Sequence, residues 1–275
     1  MSIRQKIFSF IPTRIKDLVY SLLRFLYDYS RFLFETLRIW LMPRVSPTNI
    51  CHMLVCQRPE YVAIAKFAIS SFLYFNPKYK IILHTDEHLN LDARKLNRYF
   101  PESRLSIVQD IPNSGYPYEL KGKLLLKMQG THDIFLDVDT RTNGVLPEIM
   151  APLTLVAEFR MKDNINFRRI LHELELSYLE DYYLLNVSIV SWGGRDYNIS
   201  SKEFEEWSTK YMEIQWHKFL DSEQIPYFKR FVEQVFLSIK LQASDFQILK
   251  EKDYVGDKGL VESSYFGASG YRFGR

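Results

Sequence analysis

Residues 133–144 read DIFLDVDTRTNG, and the fold turns on how this stretch is read. Three apolar residues, Ile134, Phe135 and Leu136, run into Asp137-Val138-Asp139. A short apolar run with polar flanks marks a buried strand. Side chains two apart on a strand point the same way, so Asp137 and Asp139 are expected side by side where the strand leaves the core. Asn143-Gly144 then signals a turn. Two convergent carboxylates at a sheet's edge suit a hard divalent cation that also holds phosphate oxygens. Such a cation can neutralise a diphosphate leaving group. Asp-x-Asp alone is more often a turn or a pair of solvated acids, so its neighbours decide.

Upstream, alternating elements lead into it. Residues 52–56 read as a strand, 57–60 as a polar turn, and 61–75 as a helix with apolar residues at helical spacing, stopped by Asn76-Pro77. A second strand is expected over 79–84, a helix over 91–100 and a third strand over 105–108. This order implies a parallel sheet with right-handed crossovers. Ligands in such sheets bind beyond the carboxyl ends of the strands. Gln57, Arg58, Asp86 and Asp137 all fall at such ends. Residues 118–128 read as a helix carrying Lys121, Lys123 and Lys127. These form either a solvated face or a source of one point charge for a phosphate.

Downstream, 153–159 is a strand candidate, 164–180 reads as a mobile or helical segment, and 184–192 (LLNVSIVSW) is a strand containing Asn186. A buried Asn needs partners, so it is either a structural hydrogen-bonder or a sugar contact. An amphipathic helix is expected over 202–220 and a further helix over 227–241, the latter with Glu233-Gln234.

The N-terminal 47 residues differ. The run 18–42 is dense in Leu, Phe, Tyr and Trp, yet it has no 18 uncharged residues in a row and no signal-peptide layout. Arg24, Asp28, Arg31, Glu35 and Arg38 fall on one helical stripe of alternating sign. The apolar remainder needs a covering, and a membrane interface, a second copy and the body of the same protein all supply one. Arg4, Lys6, Arg14 and Lys16 precede it and favour an anionic lipid surface. We expect residues 1–47 to be an amphipathic helical segment and 48–275 a single domain. The net charge of +3 is too small to argue for nucleic acid. Cys51 and Cys56 lack disulfide or zinc spacing, which reads as a reducing, cytoplasmic setting, peripheral on a membrane's inner face if the helix meets lipid.

Taken together, HMLVCQRPEYVAIAKFAISSF, KYKIILHTD, KGKLLLKMQGTHDIFLDVDT and YYLLNVSIVSW with EQVFLSIKL resemble, in that order, the GT-A fold of nucleotide-sugar glycosyltransferases, of the glycogenin and bacterial galactosyltransferase type. The likeness covers roughly residues 50–270. It implies a mixed, mainly parallel sheet flanked by helices. It also implies Mn2+ or Mg2+ on Asp137 and Asp139, with Val138 between them, and donor contacts from Lys121 or Lys123 and from Gln57, Arg58 and Asp86. Asn186 would face the sugar or acceptor, and Glu233 and Gln234 the anomeric carbon. The implied reaction moves a hexose from a nucleotide sugar, a UDP-sugar foremost, to a glycan or lipid-linked hydroxyl with retention.

The chain departs from that pattern twice. Val187-Ser188-Ile189 follows Asn186 where a small residue and Gly are usual, and Ser263-Ser264-Tyr265 stands where a metal-binding His is usual. A catalytically inactive, membrane-associated scaffold of the same fold is one alternative. A phosphatase of the haloacid-dehalogenase type is another, which Thr140-Arg141 after the acids and the two preceding βα units disfavour. The histidines are expected to be structural.

Overall fold

The computed structural model describes residues 13–42, 46–146, 153–241, 247–249 and 261–262. Ser263-Ser264-Tyr265 lies outside them.

Helix α1 (Thr13–Leu41) leads into strand β1 (Asn49–Val55), helix α2 (Pro59–Phe75), strand β2 (Tyr79–Thr85), helix α3 (Glu87–Arg94) and strand β3 (Leu105–Gln109). Helix α4 (Pro117–Lys127) precedes strand β4 (Ile134–Leu136), the strand of the opening motif, and a two-residue strand β5 (Arg141–Thr142) follows. Then come β6 (Leu153–Arg160), α5 (Ile165–Glu173), β7 (Tyr183–Ser191), α6 (Ser201–Met212), α7 (Ile225–Lys229), α8 (Val232–Leu241), β8 (Gln247–Leu249) and β9 (Val261–Glu262).

Among the described residues seven strands form one sheet in the order β3-β2-β1-β4-β7-β6-β8, and β5 pairs separately with β9. The pairs β1–β2, β1–β4, β2–β3 and β6–β8 are parallel; only β7 runs against its neighbours β4 and β6. This is the mixed, mainly parallel sheet expected. Because β1, β2 and β4 run together, the residues after Val55, Thr85 and Leu136 share one rim.

Period-two alternation sorts the side chains. Cys51, Met53, Ile81, Leu83, Ile134 and Leu136 face α2, with which they form one buried cluster. Phe135, Leu185 and Val187 join Leu125 of α4, Phe204 of α6 and Phe236 of α8 in another. A third cluster joins α5 to α7 and α8 through Phe167, Phe228 and Val235. Both cysteines are buried and unbridged.

Several elements differ from the sequence reading. α3 starts at Glu87 rather than 91, because the Asp86 carboxylate accepts the Leu89 N–H and caps it. The helix expected over 202–220 stops at Met212, and the one over 227–241 breaks between Lys229 and Val232. Of the two readings of 164–180, mobile or helical, the helical one holds over α5, capped by Asn164, whose side chain accepts from Asn166 and Phe167 N–H groups.

α1 packs on α2 by its charged stripe. Asp28 and Glu35 are both 3% exposed, whereas Leu23 and Leu37 are 60% and 57% exposed. Arg31 Nε donates to Glu35 at 2.6 Å, Ser70 Oγ of α2 donates to the other Glu35 oxygen at 2.9 Å, and Arg141 Nη1 donates to Asp28 at 2.6 Å. Burial pushes the Glu35 carboxyl up, and Arg31 pulls it back. Phe32 and Ile39 supply the apolar contacts of this inner face.

Candidate active site

β4 ends at Leu136, one residue before the acids. Asp137, Val138 and Asp139 lie in a tight turn closed by a Thr140 N–H to Asp137 carbonyl bond of 3.1 Å. Strand alternation is therefore not what brings the two carboxylates together. The turn does so, held in place by the Asp137 N–H donating to the Ser188 carbonyl of β7 at 2.8 Å.

Both acids line one cleft at the rim, together with Arg58, Tyr61, Tyr118, Lys121 and Val138. The cleft has about 670 Å³ of empty space, open solvent at its mouth included. Its floor is apolar, from Leu54, Phe135 and Cys56. Burial pushes the Cys56 thiol up to about 11, so it stays protonated and inert.

Lys121 is the pivot. Its ammonium donates to Asp137 Oδ2 at 2.8 Å and sits 5.3 Å over the Phe135 ring. Glu233 Oε1 of α8 is 3.7 Å away, an ion pair rather than a hydrogen bond. Burial disfavours the charged lysine, yet Asp137 and Glu233 together hold its pKa above the usual value. Glu233 is completely buried, and neither of its oxygens makes a hydrogen bond. Burial raises it from 4.5 to about 8, against the pull of Lys121.

The expected site residues separate. Asp137, Val138, Asp139, Lys121 and Arg58 meet in the cleft. Lys123, two residues on, points to the other side of α4 and pairs with Glu205 at 2.8 Å. Asp86 is fully buried below the rim. One of its oxygens accepts the Gln57 N–H at 2.6 Å and the other the Leu89 N–H at 2.9 Å. It thereby fixes the turn that carries Arg58. Gln57 sits at φ +60°, and its amide spans the rim to the Gly115 carbonyl. Asn186 accepts from the N–H and hydroxyl of Ser188, at 2.9 and 2.7 Å, and so steadies the carbonyl that holds Asp137. Glu233 reaches the cleft only through Lys121, and its neighbour Gln234 is half-buried.

Sequence reasoning missed Tyr61 and Tyr118 as cleft walls, because aromatics at helical spacing read as core. It also missed a relay beneath the sheet's rim. Asp133 Oδ2 meets His52 Nε2 at 3.2 Å, His52 Nδ1 meets His84 Nε2 at 2.8 Å, and His84 Nδ1 meets Asp110 at 2.9 Å. Parallel pairing puts Leu54 opposite His84, so the two rings are diagonal neighbours on one face; the expected strands already contained that signal.

Among the described residues no three His, Cys, Asp or Glu side chains cluster as a metal site. The two hard carboxylates still fit a cation of the Mg2+ or Mn2+ kind, which commonly uses one or two carboxylates and takes its other ligands from water and phosphate.

No family model matches the chain, and no curated protein matches it. It is similar in structure to the galactosyltransferase LgtC, solved with donor and acceptor sugar analogues, at 8% identity and a TM-score of 0.44, over 66% of this chain and 68% of that one. It is similar to the glycosyltransferase GlyE of Streptococcus pneumoniae TIGR4 at 12% identity and TM-score 0.46, over 76% of this chain and 46% of that one. It is also similar to the bifunctional glycosyltransferase WbbM at 12% identity and TM-score 0.43, over 75% and 40%. The chain thus spans less than half the length of GlyE and WbbM. The strand order described above is that of a mixed, mainly parallel α/β sheet. At these identities and scores the likeness does not extend to donor, acceptor or metal.

Proposed function

We propose that the protein transfers a hexose from a nucleoside-diphosphate sugar to an acceptor hydroxyl. One observation carries this reading: Asp137, Asp139, Lys121 and Arg58 converge on a single cleft beyond the carboxyl ends of the parallel strands.

Mn2+ or Mg2+ held by Asp137 and Asp139 would neutralise the diphosphate as a Lewis acid. The chain supplies the rest. Lys121, kept charged chiefly by Asp137, offers a fixed positive charge to the departing phosphate oxygens. It is prepositioned, so no reorganisation cost falls on the transfer step. Arg58 adds a second cation at the mouth, and its guanidinium lies 5.9 Å from the Tyr61 ring centroid. Tyr61 and Tyr118 offer ring faces to the nucleoside or the sugar. Retention is proposed on the Glu233-Gln234 pattern. Since Glu233 is sealed beneath Lys121, we assign the place beside the anomeric carbon to Gln234. A UDP-sugar is the proposed donor, and a glycan or lipid-linked hydroxyl the proposed acceptor.

A thermal-shift panel of nucleotide sugars, with and without manganese, tests this. The expected result is stabilisation by one donor that requires the metal and disappears in Asp137→Asn and Asp139→Asn. No stabilisation by any donor, together with no slow donor hydrolysis, would overturn it and leave a fold kept without catalysis.

A further inference from the structure

We propose that α1 lies flat on an anionic membrane surface with its outer, apolar face in the lipid interface. The inference rests on how the helix packs and not on the reaction. An amphipathic helix on a water-soluble body ordinarily turns its apolar stripe inward. Here the order is reversed. Asp28 and Glu35 are buried and bonded to Arg141, Arg31 and Ser70, while Leu23, Leu26, Leu33, Leu37 and Trp40 are all more than half exposed. Water gains nothing from that arrangement, since apolar area is left in solvent and charge is taken out of it.

Three features choose lipid over a second copy of the chain. First, the outward apolar surface is broad. Leu23, Leu26, Leu33, Leu37 and Trp40 follow a heptad line that one partner helix would cover, but Tyr20, Tyr27 and Phe34 widen it, and each is more than half exposed. Second, the charges complement an anionic surface. α1's two acids with described side chains are both buried, so Arg38 is left on the outside. Residues 1–17, which run into the start of α1, carry Arg4, Lys6, Arg14 and Lys16 against a single acid, Asp17. Third, the exposed aromatics include Tyr20, Tyr27 and Trp40, the residue types that settle at the headgroup boundary. No described helix is long and apolar enough to cross a membrane, so the contact is parallel to the surface.

Flotation of the full chain with lipid vesicles, read beside its sedimentation mass without lipid, decides the matter. The protein is expected to float with phosphatidylcholine vesicles containing a third phosphatidylglycerol, and at least tenfold less with phosphatidylcholine alone. The double variant Leu26→Glu with Leu33→Glu should lose at least tenfold in flotation while keeping its circular dichroism and melting temperature, because both side chains already point to solvent. Absence of flotation with either vesicle would overturn the proposal. So would a stable dimer that the double variant splits and that does not float, since the occupant of the face would then be a second copy. Donor-induced stabilisation, which tests the proposed reaction, is independent of every one of these outcomes.

Discussion

Arg141 and Asp28 are 113 positions apart and meet at 2.6 Å, both nearly excluded from solvent. Arg141 lies two residues after Asp139, so this pair joins the N-terminal helix to the segment that leaves the acid turn. Thr142 N–H extends the join by donating to Ser71 Oγ of α2 at 3.2 Å.

Removing Arg141 takes the 2.6 Å ion pair from the buried Asp28 and leaves it Arg24 at 3.8 Å. Arg141→Met is expected to destabilise by about 3–5 kcal/mol, the usual cost of breaking a buried ion pair. Asp28→Leu with Arg141→Met should recover most of that loss. Urea denaturation of the single and double variants checks this; additive losses would mean that the two side chains are not coupled.

Glu233 makes stability depend on pH. Its pKa is raised in the folded protein, so its contribution is fully present below the ordinary value of 4.5 and is lost as pH climbs through about 8. Over that window the folded state holds a proton that the unfolded state has released, and stability falls. Every tenfold difference in proton affinity between the two states is worth about 1.4 kcal/mol. Glu233→Gln should flatten the decline between those limits, measured by denaturation of the metal-free protein from pH 5 to 9. An unchanged slope would place the carboxyl in a wetter setting.

Gly122 marks the close approach of α4 to α6, since a Cβ there would overlap the Phe204 ring. Gly122→Ala is expected to cost about 1–3 kcal/mol through overpacking. Because Lys121 is the adjacent residue, donor-induced stabilisation should fall as well. Phe204→Leu in the same chain should restore both, which a melting curve with and without donor would read.

Asp86→Ala removes the acceptor for two backbone N–H groups, one in the Gln57 turn and one in the first turn of α3. The lost cap alone is worth about 1 kcal/mol. Arg58 then loses its fixed position, so donor KM should rise more than kcat falls. Equal changes in both would point to a contact made only in the transition state.

Much of this is legible in the chain. The run of Ile134, Phe135 and Leu136 into two acids locates the rim, and Gln57, Arg58 and Asp86 fall at strand ends as expected. Lys121 cannot be told from Lys123 by periodicity, because only packing against Asp137 and Glu233 separates them. Strand alternation predicts the acids' convergence for the wrong reason; a turn fixed by Ser188 brings them together. The orientation of α1 is illegible, since a stripe of alternating charge looks the same whether water or Arg141 neutralises it. The break between Lys229 and Val232 is hidden by continuous apolar spacing.

The clasp between α1 and the strand after the acid turn has a geometric consequence. Helix and cleft are tied as one piece, so whatever α1 rests upon sets the height at which the cleft is held. Acceptors would then be sorted by stature, with hydroxyls presented too near or too far from that base left out of range whatever their chemistry.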